Sequence, residues 1–254
     1  MKQESKNIWI TGGGSGIGQA LAQSLALGGH NVIISGRSRD KLEACRAVCP
    51  ERIHPLVWDV SDESSIDSIE QQLSTKVAHL DCVILNAGIC QYVDVHKLDL
   101  PSMHDVMNTN FFGFVHSFNA ALALLKRAPR KPQLIGVASM ASYVGFPRAQ
   151  AYGASKAACA YLLNSIRSDC SSWLDVTVVN PGFVRTPLTD ANDFDMPFLM
   201  SSEDAAKKIE KALSSRAKEI HFPWRLHALL RIAQWFPSLW YGFIVSKLNR
   251  ENSQ

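Results

Sequence analysis

The stretch TGGGSGIGQALAQSLAL, residues 11–27, decides the fold. Immediately before it, NIWIT (7–11) is short, apolar and β-branched, as a buried strand is. Immediately after its glycines comes an apolar stretch at helical spacing (16–28). Gly12, Gly16 and Gly18 follow the pattern G-x-x-x-G-x-G at the junction. Glycine lets such a turn close tightly and lets a phosphate approach the backbone and the N-terminus of the following helix. A strand, a glycine turn and a helix in that order predict a dinucleotide-binding βα unit.

The rest of the chain repeats the alternation. Strands are expected at 31–35, 54–60, 81–88, 133–139, 175–181 and 219–223, and several are nearly continuous apolar runs. That pattern suits a parallel sheet covered on both faces. Helices are expected at 16–28, 38–48, 62–78, 102–127 and 150–172, with another after Ser201 or Ser202, either of which can cap it against an acidic first turn. The expected fold is α/β, a doubly wound parallel sheet of about seven strands with helices on both faces. No linker divides the 254 residues, so residues 1–220 are expected to form one domain, followed by a tail at 221–254.

A formal net charge of +3 gives no support to a nucleic-acid partner. The six cysteines form no CxxC pair and MKQESKNIWI holds no long apolar segment, so reduced thiols and a cytoplasmic location are expected. Cys45 and Cys49 could share a helix face, but no metal site is expected.

The second strand bears on the choice of dinucleotide. NAD sites place a carboxylate near its end to hold the ribose 2′-hydroxyl. Here SGRSRDKL (35–42) has Gly36 at that point, followed by Arg37, Ser38 and Arg39. A guanidinium suits a 2′-phosphate, so NADP(H) is favoured over NAD(H).

In AYGASKAACAYL (151–162), Tyr152 and Lys156 stand one helical turn apart. Ser139 ends the fifth expected strand, at the carboxyl edge where ligands of doubly wound sheets bind. Hydride transfer to a carbonyl needs a proton for the developing alkoxide, and alcohol oxidation needs the reverse. A free tyrosine, with a pKa near 10, is a poor base at neutral pH, and an adjacent ammonium favours its phenolate. The Ser139 hydroxyl can steady the substrate oxygen. Tyr143 serves as a control, because Pro147 stands four residues on and supplies no cation.

With these residues in this order, the chain resembles the short-chain dehydrogenase/reductase family over about residues 5–220. The resemblance implies that Ser15 and Ile17 line the cofactor turn with Gly12, Gly16 and Gly18. It implies that Asp59 and Val60, in WDVSD, border the adenine, and that Asn86, Ala87 and Gly88, in LNAG, lie beside the cofactor. Leu85 stands where the family usually has a further asparagine. NTNFFG (108–113) is similar to an N-x-x-G pattern that makes Asn110 a fourth catalytic residue, kinking a helix and holding a water behind Lys156. Asn108 competes for that place but lacks a glycine three positions on. Tyr152 and Lys156 would also touch the cofactor. Pro181, Gly182, Val184 and Thr186, in NPGFVRTP, would hold its nicotinamide. A small carbonyl or secondary alcohol substrate and a homo-oligomer, dimer or tetramer, built on the helices around 102–127 and 150–172 are further implications.

The segment PLTDANDFDMPFLMSSED (187–204) occupies the place of a substrate lid. Phe194, Met196, Phe198, Leu199 and Met200 suit either an apolar substrate or packing within the lid. Residues 221–250 contain no acid, four Arg or Lys residues and three of the chain's six tryptophans. Two readings of this tail stand: peripheral contact with the inner face of a membrane, or packing on its own domain or a second subunit. The function expected is NADP(H)-dependent oxidoreduction of a carbonyl or secondary alcohol, lipid-like if the tail meets a membrane. The alternatives are an epimerase or dehydratase on the same fold, and a cofactor-binding or membrane scaffold without turnover.

Overall fold

Alternate residues of the strands face opposite layers, and this builds the core. In β1 (Asn7–Thr11), Ile8 and Ile10 point to one side and Trp9 to the other, all fully buried. The computed structural model describes residues 4–189 and 195–244. The other strands are β2 (Asn31–Gly36), β3 (Ile53–Val57), β4 (Cys82–Leu85), β5 (Gln133–Val137), β6 (Asp175–Pro181) and β7 (Glu219–Phe222). They form one parallel sheet in the order β3-β2-β1-β4-β5-β6-β7. The order reverses between β1 and β4, the switch point where such sheets open a crevice at their carboxyl edge.

On one face, Ile8, Ile10, Ile34 and Ile84 pack with Leu21 and Leu25 of α1 (Gly16–Leu27), Leu42 of α2 (Arg39–Arg46) and Ile209 of α7 (Ser202–Ser215). On the other, Trp9, Ile33, Val83 and Leu134 pack with α3 (Ile66–Lys76), α5 (Gly113–Lys126) and α6 (Gln150–Cys170). The expected doubly wound fold is the one observed.

The differences from expectation lie at the carboxyl ends of the strands, and side chains cause them. β3 ends at Val57 rather than residue 60, because the Asp59 carboxylate accepts from the Ser61 amide (3.0 Å) and hydroxyl (2.7 Å) and turns the chain. β4 ends at Leu85, where the amides of Asn86 and Ala87 turn to the Thr11 hydroxyl oxygen instead of a ladder. β5 ends at Val137, and the Ser139 hydroxyl then caps a single helical turn by accepting from the Ala141 amide at 3.1 Å. These early endings leave polar loops at the crevice.

The helix expected at 102–127 is divided into α4 (Leu100–Met107), a π-helical turn (Asn108–Phe112) and α5. Asn110 sits in that turn. Its side chain accepts from the Ile89 amide (2.8 Å) and donates to the Ile89 carbonyl (2.9 Å), anchoring the widened turn to the loop after β4. Ser201, not Ser202, caps α7 by accepting from the Asp204 amide.

The tail continues from β7 into α8 (Trp224–Trp235). Leu226, Leu230, Ala233 and Trp240 pack against Met140 and Val144. The Trp240 indole donates to the Gly145 carbonyl (3.1 Å), and the Gly145 amide donates to the Tyr241 hydroxyl (3.1 Å). One side of the tail thus covers the loop between β5 and α6. No helix among the described residues is long and apolar enough to cross a membrane.

Candidate active site

Local backbone requirements explain the glycines. Gly12 and Gly16 have φ of +69° and +54°, the left-handed region that favours glycine. A Cβ on Gly12 would come within 2.9 Å of the Ala87 Cα, and one on Gly18 within 2.3 Å of the Gly12 carbonyl oxygen. The turn is therefore pressed against the end of β4. The Asn86 side chain ties the two together, donating to the carbonyls of Thr11 (3.0 Å) and Gly12 (3.2 Å). Ser15, the N-cap of α1, makes no side-chain capping bond, so its hydroxyl does not occupy the first amides of the helix. A glycine cradle at a helix N-terminus without such a cap fits the pyrophosphate of a dinucleotide.

Beyond the turn, Ser139, Tyr152 and Lys156 converge on the same cleft. The Lys156 ammonium is buried and donates to the Val137 carbonyl at 2.9 Å. It lies 5.9 Å from the centre of the Tyr152 ring. Burial lowers its pKa below the usual lysine value. Burial also pushes the Tyr152 phenol up to about 12, with a hydrogen bond from Ser139 acting in the opposite sense. The lowering expected from Lys156 joined by an oxidised nicotinamide belongs to the cofactor-bound site; in the protein alone desolvation dominates.

Asn110 is fully buried behind the cleft, whereas Asn108 is exposed. Its amide also donates to the Ser155 hydroxyl (2.9 Å), which in turn donates to the Tyr152 carbonyl (2.8 Å). A Cβ placed on Gly88 would stand 3.2 Å from Asn110 Oδ1 and 3.3 Å from Lys156 Nζ, so both polar atoms face one point.

The cleft brings together Gly12, Ser15, Gly16, Ile17, Asn86, Ala87, Gly88, Ser139, Tyr152, Lys156, Pro181, Gly182, Val184 and Thr186. Gly18 supports the turn from behind. Arg37, Asp59 and Val60 do not line this cleft. Arg37 is exposed just beyond β2, and the Asp59 carboxylate is engaged with Ser61. The Val60 side chain is buried against Gly113.

Several contributors were missed from sequence. The Val137 carbonyl has no sequence signature, because any residue carries one. Thr189 lines the cleft and braces its loop, its hydroxyl accepting from the Thr186 amide (2.9 Å) and donating to the Val184 carbonyl (2.8 Å). The T-x-x-T spacing at 186–189 was the available signal. Of the expected lid, Met200 joins the core through paired backbone bonds with Phe183 and Arg185, and Phe198 is exposed. Phe194 lies outside the described residues, as do Lys247 and Arg250 of the tail.

Fold and site together define a nucleotide-dependent oxidoreductase of the doubly wound class. The family model described as short chain dehydrogenase matches residues 6–196, and the chain belongs to that family. An uncharacterized oxidoreductase of Myxococcus xanthus is 32% identical over 233 residues, covering 90% of this chain and 92% of that protein. A farnesol dehydrogenase of Aedes aegypti is 29% identical, over 79% of this chain and 86% of its own length. An alcohol dehydrogenase from Thermococcus sibiricus, solved with 5-hydroxy-NADP, shares the fold with a TM-score of 0.78 at 23% identity, covering 86% of this chain and 96% of that one. The protein is an oxidoreductase acting between CH–OH and C=O groups by hydride transfer with a nicotinamide cofactor.

Proposed function

We propose that this protein is an NADP(H)-dependent reductase of an apolar, lipid-like carbonyl, or the dehydrogenase of the matching secondary alcohol. The observation that carries the reading is the meeting of Ser139, Tyr152 and Lys156 in one cleft with the glycine turn. The bound nicotinamide would supply or accept the hydride. Gly12, Ser15, Gly16 and Ile17 would hold its pyrophosphate side, and Pro181, Gly182, Val184 and Thr186 its nicotinamide side. Asp59 and the chain beside it would border the adenine.

Tyr152 is the proton donor in reduction. A phenol at about 12 is protonated at neutral pH, the form that gives a proton to an alkoxide. Ser139 orients the substrate oxygen. Lys156, fixed by the Val137 carbonyl, binds the nicotinamide ribose and favours phenolate once the proton has left. Asn110, fully buried beside Gly88 and Lys156, supports proton return by holding a water behind the ammonium.

Arg37 selects NADP(H). It is exposed at the carboxyl edge of the sheet, one strand from the glycine turn, with no carboxylate in its own loop before Asp40. Charge-assisted hydrogen bonds contribute about 1.5–3 kcal/mol. Arg37→Ala is therefore expected to weaken NADPH binding by roughly 10- to 100-fold and to leave NADH affinity nearly unchanged. Titration followed by nicotinamide fluorescence checks this, and equal losses for both cofactors would remove Arg37 from the 2′-phosphate site.

Six free thiols, Cys45, Cys82 and Cys159 among them buried, support a reducing cytoplasm as the working compartment. The farnesol dehydrogenase relative supports an apolar alcohol or carbonyl as substrate class. Exposed Phe112 and Tyr161, on the π turn and α6, support a homo-oligomer built on those helices. Peripheral membrane contact by the tail completes the reading.

A further inference from the structure

Helix α8 is apolar on two sides, and its own domain covers only one. At 100° per residue, Leu226, Leu230 and Ala233 form the inner face that packs on Met140 and Val144. Trp224, Leu229, Ile232 and Trp235 occupy an outer arc of roughly 140°, and Phe236 follows at the C-cap. All five are exposed, Trp224 to 69% and Trp235 to 76%. A helix on a globular surface ordinarily turns charged and polar residues outward. The only charged side chain in this arc is Arg225, which lies over the Trp224 ring at 5.7 Å.

We propose that the outer face of α8 is a docking surface for an anionic lipid bilayer, with the helix lying in the headgroup plane. Charge decides between a bilayer and a second copy of the chain. The outer arc carries the cation Arg225 and no acid, while Arg231, beyond its edge, is paired with Glu219. In a symmetric dimer the same patch meets itself, and this one would set cation against cation. Anionic headgroups complement it, and indole rings favour the boundary between headgroup and acyl chain. Spanning is not the mode, since no described helix is long and apolar enough.

The inner face makes this docking relevant to the reaction, an extension that rests on the reductase reading. Leu226 is so close to Gly182 that a Cβ on that glycine would stand 2.7 Å from Leu226 Cδ2. The same helix covers Met140 and Val144, between Ser139 and Tyr152 in the chain. Docking through the outer face therefore holds both loops of the cleft next to the membrane, where an apolar carbonyl would be dissolved.

The test is flotation of the full chain with vesicles of phosphatidylcholine alone or with about one-third phosphatidylserine. The wild type is expected to float with the anionic vesicles at least about tenfold more than with the neutral ones, and Trp235→Glu to abolish flotation. Leu229→Gln gives a milder second variant, expected to reduce flotation. NADPH titration of each variant shows that it is folded. Absence of wild-type flotation overturns the proposal, as does equal flotation with both vesicle types. A dimer in solution that Trp235→Glu dissociates, without flotation, assigns the face to a second copy instead. Flotation without any NADPH-linked turnover leaves the docking surface standing and removes the reductase reading.

Discussion

Tyr152→Phe lowers turnover by about 10²- to 10⁴-fold, the range a positioned general acid contributes, while NADPH affinity changes by no more than a few-fold. The variant keeps the ring and removes only the hydroxyl. That hydroxyl is the acidic proton beside the Ser139 hydroxyl, on a helix whose next turn presents Lys156. The glycine turn, Asn86 and the 181–186 loop remain, so binding persists. Steady-state rates with a ketone, set beside fluorescence titration, separate the two effects. A variant that reduces ketone at the wild-type rate would take the proton-transfer role from Tyr152.

Gly18→Ala is expected to lower thermal stability and cofactor affinity together. The added methyl would stand 2.3 Å from the Gly12 carbonyl oxygen and 2.5 Å from Asn86 Nδ2. Both are fixed, the first as backbone and the second by its bonds to Thr11 and Gly12, so neither can swing away as the tip of a free side chain would. The turn must open. Overpacking of this kind costs about 1–3 kcal/mol, or roughly 2–12 °C in Tm for a chain of this size. NADPH binding is expected to weaken by about tenfold or more, because the same shift moves the cradle. Gly29→Asn is the control: Gly29 also has a positive φ, but nothing lies within 4 Å of its added Cβ, and asparagine tolerates that conformation. Calorimetry of both variants decides the matter, and equal Tm losses would mean that the crowding at Gly18 is unimportant.

The fold was legible because its signals are periodic and local. Continuous apolar strands such as NVIIS and QLIGV, alternating with amphipathic helices, leave few topologies open, and the glycine turn marks the end of β1. Strand ends were read too long for a physical reason. Trp58, Val60 and Ala138 are as buried as ladder residues, but Asp59, Thr11 and Ser139 divert the backbone through side-chain hydrogen bonds that hydrophobic pattern does not encode. The π turn at 108–112 is likewise absent from the hydrophobic pattern, since Asn110 satisfies a loop 21 residues earlier in the chain; only the resemblance, which gives Asn110 a helix kink, pointed to it.

At the site, residues with distinctive chemistry were recognisable, whereas supports acting through backbone atoms were not. Lys156 could be named from its spacing to Tyr152, but the Val137 carbonyl that fixes it could not. Of the two readings of the tail, packing on its own domain is observed for one face of α8, and the exposed aromatics of the other face leave membrane contact as the proposal.

The central claim, an NADPH-dependent carbonyl reductase, is tested most directly by incubating the purified chain with NADPH and an apolar ketone and measuring cofactor oxidation and alcohol formation together. The account predicts one alcohol formed for each NADPH consumed, with NADH a poor substitute. Cofactor that binds but is not consumed, or substrate converted with NADPH left unchanged, would contradict it and point to the scaffold or the epimerase in turn.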